Sequence, residues 1–293
     1  MSASPATLVG FQTQIQADGR SPHTVAQYAR HVRRFGEWLA AEGVADDVRV
    51  FEPEHVAGFV AAAEAQRRRD GVPRRAASLN ALRSSLRGFF AYLERSGVVD
   101  RSPALVLRMA RVAPSPPRGM RAEDVVKLLA ALAEDTTVAG RRDHVLVAFL
   151  AGTGARLGSA LALDVAGLDL AEGTATLREL KGGGAMTVFL RPELAEVFAA
   201  WVGYRRRGPV FSARDGEALT PRQAQRRFEL WLRRAGIRGR HSPHSLRHTF
   251  ALGLYQRTGD VLVVKEALGH RAITSTMVYA RASAERVREA VVG

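Results

Sequence analysis

The chain has 293 residues, 46% hydrophobic and 25% charged, enough to bury the core of one large domain or two ordinary ones. It has no cysteine, which excludes disulfides, thiolate nucleophiles, cysteine-ligated zinc and iron–sulfur clusters; with no membrane-length apolar run and no basic-then-apolar leader, the expected location is the cytoplasm. Lys and Arg number 43 against 29 acids, a net charge of +14, and an excess of that size points to a polyanion, nucleic acid first.

The pattern turns helical at Ser21-Pro22, an N-cap serine followed by proline at the first helical position. Val25, Tyr28, Val32, Phe35 and Leu39 then recur at helical spacing. A second helix is predicted over 53–68. A third covers 78–96, with Leu79, Leu82, Leu86, Phe89, Phe90 and Leu93 as its apolar side, and a short one follows Pro103. Residues 1–110 therefore read as an all-α bundle of four or five helices, with a net charge of +4. Pro114, Pro116 and Pro117, within 111–119, cannot continue a helix or a central strand and mark an extended linker.

Residues 120–293 read as mixed. Helices are predicted over 122–133, 141–151, 193–205, 221–235, 244–257 and 260–268. A β-hairpin is predicted from 174–180 and 185–190 around Lys181-Gly182-Gly183-Gly184. The fold class is thus mainly α with a small β-sheet in the C-terminal half. Residues beyond 110 carry +10, and 205–240 alone holds 11 arginines against three acids.

The densest chemistry lies in Ser242-Pro243-His244-Ser245-Leu246-Arg247-His248. Ser242 and Pro243 start a helix, so His244 and Arg247 fall at i and i+3 on one face of its first two turns. Leu246, Phe250 and Leu254 form the opposite, core-facing stripe. An imidazole and a guanidinium beside the positive end of a helix suit a phosphate. His244 and His248 also have the i, i+4 spacing of a zinc helix, but Ser245 stands where a metalloprotease needs Glu, and no third ligand is evident. A capped helix with a purely structural His/Arg pair is the other reading.

His244-Ser245-Leu246-Arg247-His248 resembles the His-x-x-Arg box of the tyrosine recombinase, or phage integrase, family. Other boxes of that family follow the same order. Thr153-Gly154-Ala155-Arg156-Leu157 resembles the segment of its first catalytic arginine. Lys181 stands in the hairpin turn where the family keeps a lysine. Leu268-Gly269-His270 matches its Leu-Gly-His box, and Tyr279, nine residues on, falls at the nucleophile position. In the first half, Ser21, Thr24, Tyr28, Phe35, Trp38 and the Leu82–Leu93 helix are similar to its SAM-like core-binding domain. The length and the short tail after Tyr279 resemble Xer-type bacterial recombinases and compact phage integrases. Two positions depart from the pattern. Ser159 stands where many members are acidic, and Gly184, Ala185 and Met186 stand where many carry basic residues.

The resemblance implies a core-binding domain over 1–110, a linker over 111–119 and a catalytic domain over 120–293, which together form a C-shaped clamp on double-stranded DNA bearing a specific recombination site. It implies a nucleoid-associated homo-tetramer on two sites, or a hetero-tetramer with a paralogous recombinase, exchanging strands through a Holliday junction. Its tasks would be dimer resolution in chromosome partition, or phage-type integration and excision. By the same resemblance Arg156 and Arg247 clamp the scissile phosphate, and Tyr279 is the nucleophile. His244 is its base, Lys181 the acid for the leaving 5′-oxygen, and His270 a phosphate contact. No metal or cofactor is needed, because the arginines carry the charge and the 3′-phosphotyrosyl link stores the bond energy. A type IB topoisomerase would use the same chemistry, and a non-catalytic DNA-binding regulator could share the scaffold.

Overall fold

The Ser21-Pro22 start opens a 20-residue helix in the computed structural model, which describes residues 5–280 except 46, 69, 113–118, 179–183, 214–215 and 271. The chain divides into two units, residues 1–113 and 114–293.

In the first unit, α1 (Pro5–Ala17), α2 (Pro22–Ala41), α3 (Pro53–Ala61), α4 (Ala63–Gln66) and α5 (Ala76–Arg95) enclose one core. The Ser21 hydroxyl accepts from the Thr24 N–H, satisfying one of the first-turn donors. Phe35 of α2 meets Phe90 of α5 edge-on at 5.8 Å, and Phe11 of α1 meets Phe89 at 5.4 Å. α1 is not among the helices the sequence pattern predicts. Its buried Leu8, Phe11 and Ile15 keep helical spacing, but Val9 beside them is exposed, which blurs the stripe. The single helix expected over 53–68 is broken at Ala62, whose backbone is extended. The break lets Val60 and Ala65 both face inward, and the Gln66 side chain closes the corner by donating to the Val60 carbonyl. After Pro103 the turn is a 3₁₀ helix, Pro103–Val106.

The second unit contains α6 (Ala122–Ala133), α7 (Val138–Thr153), α8 (Leu157–Leu161), the strands β1 (Leu168–Asp169), β2 (Thr174–Arg178) and β3 (Ala185–Phe189), then α9 (Pro192–Val202), α10 (Pro221–Arg234), α11 (Pro243–Thr258), α12 (Val261–Leu268) and α13 (Met277–Ala280). The sheet is antiparallel in the order β1-β2-β3, and the hairpin closes at the pair Arg178↔Ala185. β1 was not expected, since two residues carry no alternation to read. Lys181, between the hairpin strands, lies outside the described residues.

α7 is buried along most of its length and packs against α6, α9 and α11. Its Asp143 fixes α10: the buried carboxylate accepts from Arg142, Arg227 and the Trp231 indole. Three donors repay the desolvation of that charge. Thr249 of α11 exchanges hydrogen bonds with both backbone groups of Met120, tying the start of α6 to α11. Among the described residues no helix is long and apolar enough to cross a membrane.

Candidate active site

Two helix ends and one helix start make the site. α7 ends on Gly154, whose φ of +65° is left-handed. A Cβ at this position would lie 2.4 Å from Phe250 and 3.0 Å from Leu268, so both conformation and space demand glycine. Beyond it Ala155 is buried, and Arg156 emerges exposed at the head of α8. Ser159, in the departure from the family pattern, is buried within α8.

α12 ends on Gly269, also left-handed at φ +61°. That turn lets the His270 N–H bond the Lys265 carbonyl at 3.0 Å and directs the His270 ring to the hydroxyl of Thr276, 2.9 Å from Nδ1. Thr276 is fully buried and anchors the imidazole.

α11 starts between these ends. Pro243 occupies its first turn, and the Ser245 hydroxyl accepts from the Ser242 N–H. His244 and Arg247 do not project together, as their i, i+3 spacing suggested. His244 is exposed, whereas Arg247 is only 3% exposed and turns inward. Its Nη1 donates to the Gly154 carbonyl at 2.7 Å and its Nη2 to the Leu268 carbonyl at 2.8 Å. One guanidinium thus joins the ends of α7 and α12, 93 and 21 residues away. The expected apolar stripe is partial: Leu246 is fully buried, while Phe250 and Leu254 are half-buried.

Tyr279, on α13, is 2% exposed and packs on Ala251, Val264 and Leu268, a small core between α11, α12 and α13. Its hydroxyl lies 2.9 Å from Nδ1 of His248. The His248 ring in turn meets the His244 ring edge-on at 4.6 Å.

These groups share one electrostatic neighbourhood. Burial, then the charges of Arg247 and Arg156 and the neighbouring histidines, pulls His270 down to about 4. Burial, His244 and Arg247 do the same to His248, also to about 4. His244 is lowered by desolvation and by Arg247 and Arg156. Burial raises the Tyr279 phenol, and the Arg247 charge opposes that rise. At neutral pH the site therefore presents neutral imidazoles, fixed guanidinium charge and a protonated phenol, an arrangement suited to an anion.

The sequence profile of the Phage integrase family matches residues 118–286, and that of the phage integrase N-terminal SAM-like domain matches residues 8–97. The chain belongs to the phage integrase family. The tyrosine recombinase XerC of Mesorhizobium japonicum is 33% identical over 285 residues, covering 92% of this chain and 88% of that protein. Among solved structures, the XerH site-specific recombinase bound to its difH substrate in a pre-cleavage complex has a TM-score of 0.72 at 23% identity, covering 91% of this chain and 78% of that one. A lambda integrase tetramer bound to a Holliday junction has a TM-score of 0.69 at 16% identity, covering 92% and 77%. At those identities the likeness is one of fold.

As a phage integrase family member the chain is a site-specific tyrosine recombinase, an enzyme that transfers DNA strands. Of the residues picked from its boxes, His244 and His270 lie within the electrostatic reach of both Arg156 and Arg247, and Tyr279 lies within that of Arg247. His248 was weighed in the sequence only as half of a metal pair. Its actual partner is Tyr279, and the signal for it was the same i, i+4 spacing, which sets it one turn beyond His244 on the same side. Among the described residues no group of three or more His, Asp or Glu side chains could hold a metal.

Proposed function

We propose that Tyr279 is the nucleophile of this recombinase and that Arg156, His244, Arg247 and His270 receive the scissile phosphate of double-stranded DNA. The observation that carries the reading is the Tyr279 phenol packed on α11 and α12, the two helices that Arg247 joins through its bonds to backbone carbonyls. A charge held in place needs no reorganisation when the phosphorane forms. The Tyr279 oxygen attacks phosphorus, and the bond to the 5′-oxygen breaks. The product is a 3′-phosphotyrosyl link and a 5′-hydroxyl. His244 takes the phenolic proton, and Lys181 gives a proton to the departing oxygen. Arg156 and Arg247 carry the added negative charge on the non-bridging oxygens, and His270 donates a further hydrogen bond to them. Religation to a partner strand is the same step reversed.

The DNA partner is supported by the +14 charge and by the difH substrate bound to XerH and the Holliday junction bound to lambda integrase. Pairing of two dimers on two sites follows the lambda integrase tetramer. The catalytic unit spans 120–293 and the core-binding unit 1–110, with the nucleoid as the place of work and dimer resolution or phage-type insertion as the task.

Selection of bound duplexes from a random-sequence pool gives the target site. A nicked duplex of that sequence, which traps the cleaved state, should then accumulate a covalent adduct with the protein. Binding to the same duplex should weaken with salt at a log–log slope steeper than about −4, several phosphates at roughly −0.9 each. Specific binding with no adduct would favour a DNA-binding regulator. A slope near −1 would make the basic charge incidental.

A further inference from the structure

Proposing Tyr279 as nucleophile leaves open what fixes its oxygen. Arg247 donates to Gly154 and Leu268, and His270 bonds Thr276. His244 is set one turn before the residue that meets the phenol. That residue is His248, and from these contacts we infer that His248 is the positioning residue for Tyr279, fixing its hydroxyl oxygen through Nδ1.

Three observations support this. The bond is 2.9 Å long and joins residues 31 apart on different helices, so it is a tertiary contact that sets where α13 presents its phenol. The phenol ring packs among Ala251, Val264 and Leu268, which confine the ring but offer its oxygen nothing polar. The His248 ring is itself wedged edge-on against His244 at 4.6 Å and at 5.7 Å from the Tyr279 ring, so it cannot swing without disturbing both. Either tautomer serves. An unprotonated Nδ1 accepts the O–H, and a protonated Nδ1 donates to the oxygen as negative charge develops.

Burial lowers the His248 imidazole and raises the Tyr279 phenol, so at rest the proton stays on the phenol. The base role stays with His244 as in the proposed step, and His248 acts through Tyr279.

The inference rests on Tyr279 being the nucleophile, so its test has one arm that depends on that reading and one that does not. On the nicked duplex, His248→Leu should bind DNA as the unmutated protein does but form adduct about tenfold more slowly, the worth of one positioning hydrogen bond. His248→Asn places an amide atom where Nδ1 stood and should recover most of that rate. His248→Gln places it one atom farther out and should not. A His248→Leu rate equal to or above the unmutated one overturns the inference, as does a His248→Asn variant as slow as His248→Leu. The second arm is a double-mutant cycle on thermal melting of the full chain with Tyr279→Phe and His248→Leu. The two drops should be clearly less than additive, because either change alone breaks the same bond. Strict additivity overturns the inference whatever the activity. Coupled melting with no adduct in the unmutated protein would keep the bond and reject the nucleophile.

Discussion

Arg247→Ala should cost this protein stability as well as activity, because the guanidinium is part of the frame. It is 3% exposed and donates at 2.7 and 2.8 Å to the carbonyls of Gly154 and Leu268, both buried residues. Hydrogen bonds to charged groups contribute about 1.5–3 kcal/mol each, and removing the guanidinium takes its donors away from two buried carbonyls. Loss of both bonds should therefore destabilise the second unit by about 3–5 kcal/mol. In a unit of this length each kcal/mol lowers the melting midpoint by about 2–4 °C, so a fall of about 6–20 °C is expected. Arg247→Lys keeps a charge but presents a point rather than a fork, satisfies one carbonyl, and should lose about half as much. The assay is thermal unfolding of the three proteins followed by calorimetry, with adduct formation measured at a temperature where all are folded. Adduct formation should still fall by about 10² or more in Arg247→Lys, since a preorganised donor to the transition state is lost. A melting change under about 2 °C for Arg247→Ala would refute the clamp between α7 and α12.

Gly154→Ala should be severely destabilising. Its φ is left-handed, and the new Cβ would meet Phe250 at 2.4 Å; melting at or above the unmutated midpoint would contradict this. Acid should weaken the fold. His31, His248 and His270 sit near 4 when folded against about 6.5 unfolded, so between those values the unfolded chain binds protons that the native one does not. Melting should fall as pH drops from about 6.5 to 5 and be insensitive to these groups above that window; a midpoint that rises on acidification would be inconsistent. Lys181→Ala should slow cleavage by about 10²–10⁴-fold and be largely rescued by a substrate whose leaving 5′-oxygen is replaced by sulfur, which departs unprotonated. Equal rescue of Arg156→Ala, or none for Lys181→Ala, would remove the acid role from the lysine.

Much of the fold was legible where a local rule decides an element by itself. Ser21-Pro22 set a helix start and the Leu79–Leu93 stripe a buried face. The features missed depend on partners distant in sequence. Ala62 breaks a helix only because Val60 and Ala65 must both face the same core. β1 exists only as a partner for β2. In the site, residue types and order were readable, but directions were not. Spacing placed His244 and Arg247 on one face, yet carbonyls from α7 and α12 draw Arg247 inward. The i, i+4 spacing set His248 on the side of His244, but not its bond to a tyrosine 31 residues later.

Tyr279→Phe tests the central claim most directly. It removes one oxygen from a ring that packs in the α11–α12–α13 core, so folding and specific DNA binding should stay nearly unchanged apart from the lost bond to His248. On the nicked duplex the account predicts no covalent adduct from Tyr279→Phe, and a normal adduct from Tyr255→Phe, the control at a phenol on α11 packed against the same core. An adduct that persists in Tyr279→Phe and vanishes in Tyr255→Phe would contradict it.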